Sequence, residues 1–401
     1  MKWEAIEEVL HELGDTARQD WNRLFEKWSN HHWHDHEHPS EKTNILLVDA
    51  GFILTDGRAN LEALHQLLAD HVQTTVSDLY LVSLFPYKTR QNDTAIDSRV
   101  QLFEDLGRFT DEFDLMYEMV PEAYSEHQFD LITETDALIE RLAYGATKIR
   151  VHVESFRGIE PERIKLVLKL WRMVMHAYKP NAQLVVANER VDSSLVYEQE
   201  ADVVCHFDLS SHVILAFAQS DVTRLADWVR QVHPLSSDKT YFNFLSSAER
   251  DPFEKNLMDA TPDAILAAHS VLFSLQGIPL IDYRTLFGAA QPIEQDELLQ
   301  ALKRDPNRLR VYEGILSQLN VKRLHPAFSP YIGQEVVSLD RRIFVVKRQH
   351  KDETLLLLTN MSEETVQTDC EGMSLFTEER MTNVTLRPYE YVWLKQSHIG
   401  E

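Results

Sequence analysis

The feature that most constrains this chain is an alternation that runs through most of its length. Short apolar runs fall at Ile45–Val48, Leu79–Leu84, Phe113–Met119, Lys148–Val153, Gln183–Ala187, Val203–Phe207, Tyr241–Leu245 and Ile278–Ile281. Longer segments with helical spacing separate them, among them Leu61/Leu64/Leu67/Leu68, Ile164/Leu168/Trp171/Met175 and Leu266/Val271/Leu275. A short unbroken apolar run suits a strand buried on both faces, and a stripe at three- and four-residue intervals suits a helix with one buried side. Strand and helix in strict alternation predict parallel βαβ units, and about eight of them predict a (β/α)8 barrel rather than an open sheet.

The two ends of the chain read differently. Trp3, Ile6, Leu10 and Leu13 form one apolar stripe, which Trp21, Leu24, Phe25 and Trp28 continue after Gly14. Residues 1–30 therefore read as an amphipathic helix, followed by the polar linker HHWHDHEHPSEK. Acidic residues flank the stripe, so it is expected to pack against protein rather than lie on a membrane. From about residue 335, Val336–Leu339, Ile343–Arg348, Thr354–Thr359, Met373–Phe376 and Tyr391–Leu394 are strand-like runs with turn residues between them. They predict a small antiparallel β-domain. The expected divisions are 1–42 for the N-terminal helix and His-rich linker, 43–330 for the barrel and 331–401 for the C-terminal domain.

Composition narrows the function classes. The 401 residues carry a formal net charge of -24, which disfavours nucleic acid and anionic membranes as partners. Two distant cysteines, Cys205 and Cys370, suggest neither a disulfide framework nor a metal site. The start MKWEAIEEVL has no apolar leader core, so the expected compartment is the cytoplasm. No dinucleotide or phosphate-loop fingerprint occurs, and no cofactor is expected. The cluster His31–His38 is the densest metal-like run, but a linker holds ligand geometry poorly. It reads as an incidental solvated segment, and no metal site is assigned. His206 and Asp208 read as rim residues, and Cys205 as packing.

The ends of the barrel strands carry a resemblance. YFNFLSSAERDPF at the seventh strand resembles "FLxSHDG" of sucrose phosphorylases and their relatives in glycoside hydrolase family 13, within the alpha-amylase superfamily. KIRVHVESF at the fourth resembles "IRLDAxxY/F", and QLVVANERV at the fifth resembles "LLTETNV". LAAHSVLFSLQGIPLIDYRTLFG, NRLRVYEGILSQLNVKRLHPAFSP, LRPYEYVWL and SLFPYKTRQNDTAIDSRV match further segments in the same order, so the similarity spans about Ile45 to Leu394.

The resemblance implies that the functional residues have been replaced. The family's nucleophilic Asp aligns with His152, beside a retained Arg150. Its acid/base Glu aligns with Asn188, with Glu189 one residue later. Its stabilising Asp and the preceding sugar-binding His align with Glu249 and Ala248. The third-strand Asp becomes Glu118, and the following Asn-His becomes Glu122 and Ala123. The sugar-facing loop after the second strand aligns with Lys88–Asp93. Only about thirty residues separate Glu118 from Arg150, where relatives insert a separate B domain, so that domain is expected to be absent.

Retaining glycosyl transfer needs two carboxyl groups about 5 Å apart, one as nucleophile and one as acid. A His and an Asn in those places predict a pseudoenzyme related to sucrose and glucosylglycerate phosphorylases, one that is not an enzyme and binds a carbohydrate, a protein partner or an active paralogue. The alternative is a glycoside hydrolase or phosphorylase with a rewired carboxylate site built from Glu154, Glu189 or Glu249. Period-two alternation would place Glu154 on the face of His152.

Overall fold

The computed structural model describes residues 3–33, 36–84, 105–120, 129–156, 158–188, 199–232, 235–246, 253, 260–351 and 353–396. Eight parallel strands form a closed barrel: β1 Ile45–Asp49, β2 Asp78–Val82, β3 Asp114–Met119, β4 Ala146–His152, β5 Gln183–Ala187, β6 Val203–His206, β7 Thr240–Phe244 and β8 Ile278–Asp282. Their order around the barrel is β1-β8-β7-β6-β5-β4-β3-β2. Each apolar run read from the sequence is one of these strands, with ends shifted by at most two residues. β5, β7 and β8 are buried at every position, as strands covered on both faces must be.

The helices begin where their capping chemistry sits. Asn60 caps α3 (Leu61–His71) by accepting from the Ala63 amide, and Asp130 caps α4 (Leu131–Ala143) by accepting from Ile132. α5 is Pro161–Tyr178, α6 is Leu209–Gln219 and α7 is Thr223–Gln231. Thr261 and Asp305 cap α8 (Pro262–Ser274) and, beyond the short α9 (Tyr283–Phe287) and α10 (Gln295–Arg304), α11 (Pro306–Lys322). Both have proline at the first helical position, where no amide donor is lost.

The chain forms two compact units, residues 1–38 with 78–205, and residues 39–77 with 206–401. In the first, the N-terminal stripe is two helices, α1 Trp3–Glu12 and α2 Arg18–Trp28. Gly14 at φ +73° turns the chain between them, a conformation open to glycine at little cost. Arg163 on α5 donates to the Leu13 carbonyl at 3.2 Å. Trp28 and Lys27 both donate to Asp136 on α4, at 2.7 Å each. The His-rich segment that follows is docked in part, while His32, Glu37 and His38 are exposed. Trp33 packs on Tyr178 with ring centroids 4.7 Å apart, and Asn181 donates to the His36 carbonyl at 2.8 Å. His34 and Asp35 lie outside the described residues. Among the described residues no group of three or more His, Cys, Asp or Glu is arranged to hold a metal ion.

Between β3 and β4 the chain passes through residues 121–128, which lie outside the described residues, and then α4. In the second unit, Ile53–Thr55, Arg58–Ala59 and Ile293–Glu294 form a small three-stranded sheet. The C-terminal sheet has strands β9 Gln334–Val336, β10 Ile343–His350, β11 Glu353–Asn360, β12 Val366–Ser374, β13 Arg380–Leu386 and β14 Tyr391–Lys395, in the order β9-β10-β11-β14-β12-β13. All of its pairings are antiparallel. Its core is aliphatic, with Ile343, Val345, Leu356, Leu358, Val366 and Leu394 at the centre. Arg348, on the opposite face of β10 from Ile343 and Val345, is fully buried and donates to three backbone carbonyls, Ser274 at 3.1 Å, Ser329 at 2.8 Å and Ile332 at 3.0 Å.

Candidate functional site

Parallel barrels present their chemistry at the C-terminal ends of the strands. In the first unit those ends carry Glu118 on β3 and His152 on β4. Strand register sets Glu118 beside Arg150, and period-two alternation puts Lys148, Arg150 and His152 on one face of β4. Three donors converge on a single carboxylate oxygen. Arg150 Nη1 reaches Glu118 Oε1 at 3.1 Å, His152 Nε2 reaches it at 3.1 Å, and the Tyr80 hydroxyl donates to it as well. Arg150 Nη1 also donates to the Tyr80 hydroxyl at 2.9 Å.

Burial alone would raise the pKa of Glu118. The His152 hydrogen bond, the charges of Arg150 and His152, and the Tyr80 hydrogen bond outweigh burial and hold the carboxyl below its ordinary range. Glu118 is therefore ionised at neutral pH, and His152 Nε2 carries the proton it donates. A carboxylate in that state is a poor general acid and a good acceptor. Asn188 follows directly on β5 and is 7% exposed. Register pairs His152 with Ala187, the residue before it. β4 ends at His152, and Glu154 is an exposed residue of the 3-10 turn Val153–Ser155. Alternation thus stops short of Glu154, so the shared face expected for it with His152 is not formed. Glu189, Ala248 and Glu249 lie outside the described residues, as do Glu122, Ala123 and the Lys88–Asp93 loop.

A second charged layer sits one step down the same strands. Lys148 makes an ion pair with Asp78, the two side chains 3% and 2% exposed. Burial opposes the charge on Lys148, but Asp78 and Asp114 overcome it and raise its pKa. Asp114, paired in register with Asp78, is pushed up to about 6 by burial, against the pull of Lys148. Burial also lowers Lys179 to about 8; it donates to the Ala146 carbonyl at 3.0 Å.

No family model matches the chain. Similar proteins include three glucosylglycerate phosphorylases. The one from Escherichia coli (strain K12) is 23% identical, with 68% of this chain and 66% of that protein covered. The one from Spirochaeta thermophila is 22% identical, with 89% and 90% covered. The one from Allomeiothermus silvanus is 24% identical, with 66% and 62% covered. The chain thus spans just under two thirds of the length of the first and third of these relatives. This chain is a distant relative of the glucosylglycerate phosphorylases. Its fold is that of the alpha-amylases. The alpha-amylase from H. orenii superposes with a TM-score of 0.72 at 12% identity, covering 90% of this chain and all of the other. A cyclic alpha-maltosyl-(1-->6)-maltose hydrolase from Arthrobacter globiformis, solved with maltose, gives 0.70 at 14% identity, covering 89% and 99%. The alpha-amylase from Geobacillus thermoleovorans, solved with acarbose, gives 0.67 at 13% identity, covering 91% and 100%. No helix among the described residues is long and apolar enough to cross a membrane.

Within this amylase-like barrel, sequence reading singled out Glu118, Arg150 and His152 and missed Tyr80, Asp78, Lys148 and Asp114. The missed residues had a signal. Lys148-x-Arg150-x-His152 places three donors on one face of a strand that is buried almost throughout, and buried donors require acceptors. Asp78-x-Tyr80 on the second strand and Asp114 ahead of Glu118 on the third supply them.

Proposed function

We propose that this chain is a non-catalytic carbohydrate-binding protein descended from the sucrose-phosphorylase-like branch of glycoside hydrolase family 13. The observation that carries the reading is the state of the nucleophile-aligned position. It holds His152, and its Nε2 is engaged by a carboxylate, Glu118, to which Arg150 and Tyr80 also donate. A His nucleophile would give a cationic glycosyl adduct, and the acid-aligned Asn188 has no proton to give to a leaving group. Without both groups a double displacement falls back on positioning alone.

The same groups are suited to binding. Glu118, His152 and Asn188 offer polar side chains at the C-terminal strand ends, the face at which parallel barrels carry their sites. That structural neighbours were solved with maltose and acarbose supports a sugar as the ligand. A second role as partner to an active paralogue rests on the same loss of chemistry. Two buried cysteines that form no disulfide support a cytoplasmic setting. The test is a thermal-shift screen of sugars and sugar phosphates, run with phosphorolysis assays of the same ligands. The reading expects stabilisation by at least one sugar without turnover; turnover, or a complete lack of sugar binding, overturns it.

A further inference from the structure

We infer that Glu118 Oε2 is the atom that reads the ligand at this site, accepting hydroxyl protons from a neutral polyhydroxy compound and disfavouring phosphorylated ones. The inference rests on the sugar-binding reading above and adds the ligand's charge class to it. Its basis is how unevenly the two oxygens of one carboxylate are used. Tyr80, Arg150 and His152 all donate to Oε1. Oε2 takes part in no side-chain hydrogen bond among the described residues, and the Glu118 side chain keeps 22% of its surface exposed. A carboxylate oxygen has two lone pairs and no proton, so Oε2 can serve only a donor.

The surrounding charges set which donor it serves. Both cationic groups are turned to the inner oxygen: Arg150 is 1% exposed, with Nη1 bound to Oε1 and to the Tyr80 hydroxyl, and His152, 14% exposed, is bound to Oε1 as well. A ligand arriving from solvent therefore meets the negative edge first. A sugar hydroxyl donates to that edge and gains a charge-assisted hydrogen bond. A phosphate has no such proton to offer at neutral pH and meets like charge in a part-desolvated site.

Glu118→Gln tests this cleanly because it is isosteric. Its carbonyl oxygen can still accept from the donors now on Oε1, without the charge, while the outer edge changes from acceptor to amide donor. Titration calorimetry would use maltose as the neutral probe and glucose 1-phosphate as the anionic one. The wild-type protein should bind maltose and bind glucose 1-phosphate at least about tenfold more weakly. E118Q should bind maltose about 10- to 100-fold more weakly, the loss of a hydrogen bond to a charged acceptor. E118Q should also narrow the gap between the two ligands; its thermal midpoint should fall, because buried Arg150 loses its charge partner, and binding is read below that midpoint. If E118Q does not fold, the wild type alone decides: its preference for maltose should shrink as salt screens the carboxylate. Equal maltose affinity in E118Q, or a salt-independent or reversed preference in the wild type, overturns the inference while leaving sugar binding intact. Failure of the wild type to bind either probe overturns both.

Discussion

Replacing Lys148 by Met should destabilise the first unit more than almost any other single change. The ammonium and its partner Asp78 are 3% and 2% exposed, so solvent screens the pair very little. Met fills the space of the aliphatic stem but leaves the Asp78 carboxylate buried beside Asp114, its register neighbour. Breaking a buried pair on one side typically costs about 3–5 kcal/mol, because the remaining charge loses its compensation. For a unit of this size that is a fall of roughly 10 °C in the thermal midpoint.

The pH dependence gives a sharper signature. Asp114 already sits at about 6 in the folded protein through burial, with Lys148 pulling it down. Without Lys148 it rises further. A carboxyl whose folded pKa exceeds its unfolded value costs nothing below the unfolded pKa and destabilises increasingly as pH rises through the folded one. The defect of K148M should therefore be largest near pH ~8 and shrink toward pH ~5. Calorimetric scans of wild type, K148M and the D78L/K148M double variant across that range would test this, with the double variant recovering more than half of the loss. A cost below about 1 kcal/mol, a cost that does not vary with pH, or a double variant no better than the single would refute the reasoning.

Arg348→Met should remove several kcal/mol from the second unit, at about 1–3 kcal/mol for each of the Ser274 and Ile332 carbonyls that lose this donor, the Ser329 carbonyl keeping the Ile332 amide, read as an earlier urea midpoint. Burial holds His36 down at about 4, so its contribution to docking the 31–38 segment is complete above about pH 6.5 and declines toward pH ~4. Protease sensitivity of that segment should rise over this interval, and H36Q should flatten the rise. His152→Asp combined with Asn188→Glu should leave phosphorolysis undetectable if, as the resemblance implies, the positions of Ala248 and Lys88–Asp93 have lost the sugar contacts of the family.

The barrel was legible in the sequence because strands buried on both faces leave unbroken apolar runs, and each run became a strand. The C-terminal sheet was less so. β13 is the segment RMTNVTL, in which Val384 and Leu386 alone are buried, too few to mark a strand by periodicity. β12 covers Val366–Ser374, while the sequence drew attention to Met373–Phe376, whose apolar residues fall at the strand end and in the turn beyond it. β9 lies at Gln334–Val336, just ahead of the run Val336–Leu339 that was expected to form it. Gly14 broke the N-terminal helix because a stripe of apolar residues carries no information about the turn between two helices that share it.

At the site, the resemblance pointed to His152, Glu118 and Asn188 but could not show how they are wired. The convergence of Tyr80, Arg150 and His152 on one oxygen depends on strand register, which no local pattern encodes. Glu154 illustrates the opposite limit. Alternation holds only as long as the strand continues, and the turn after His152 redirects the next side chains.

The most direct measurement incubates the native protein at high concentration with glucosylglycerate and inorganic phosphate and follows the release of glucose 1-phosphate over hours. A non-catalytic protein gives release indistinguishable from buffer. Release that scales with protein concentration, and that Glu189→Gln or Glu249→Gln abolishes, would contradict the non-catalytic reading and establish a working enzyme with rearranged carboxylates.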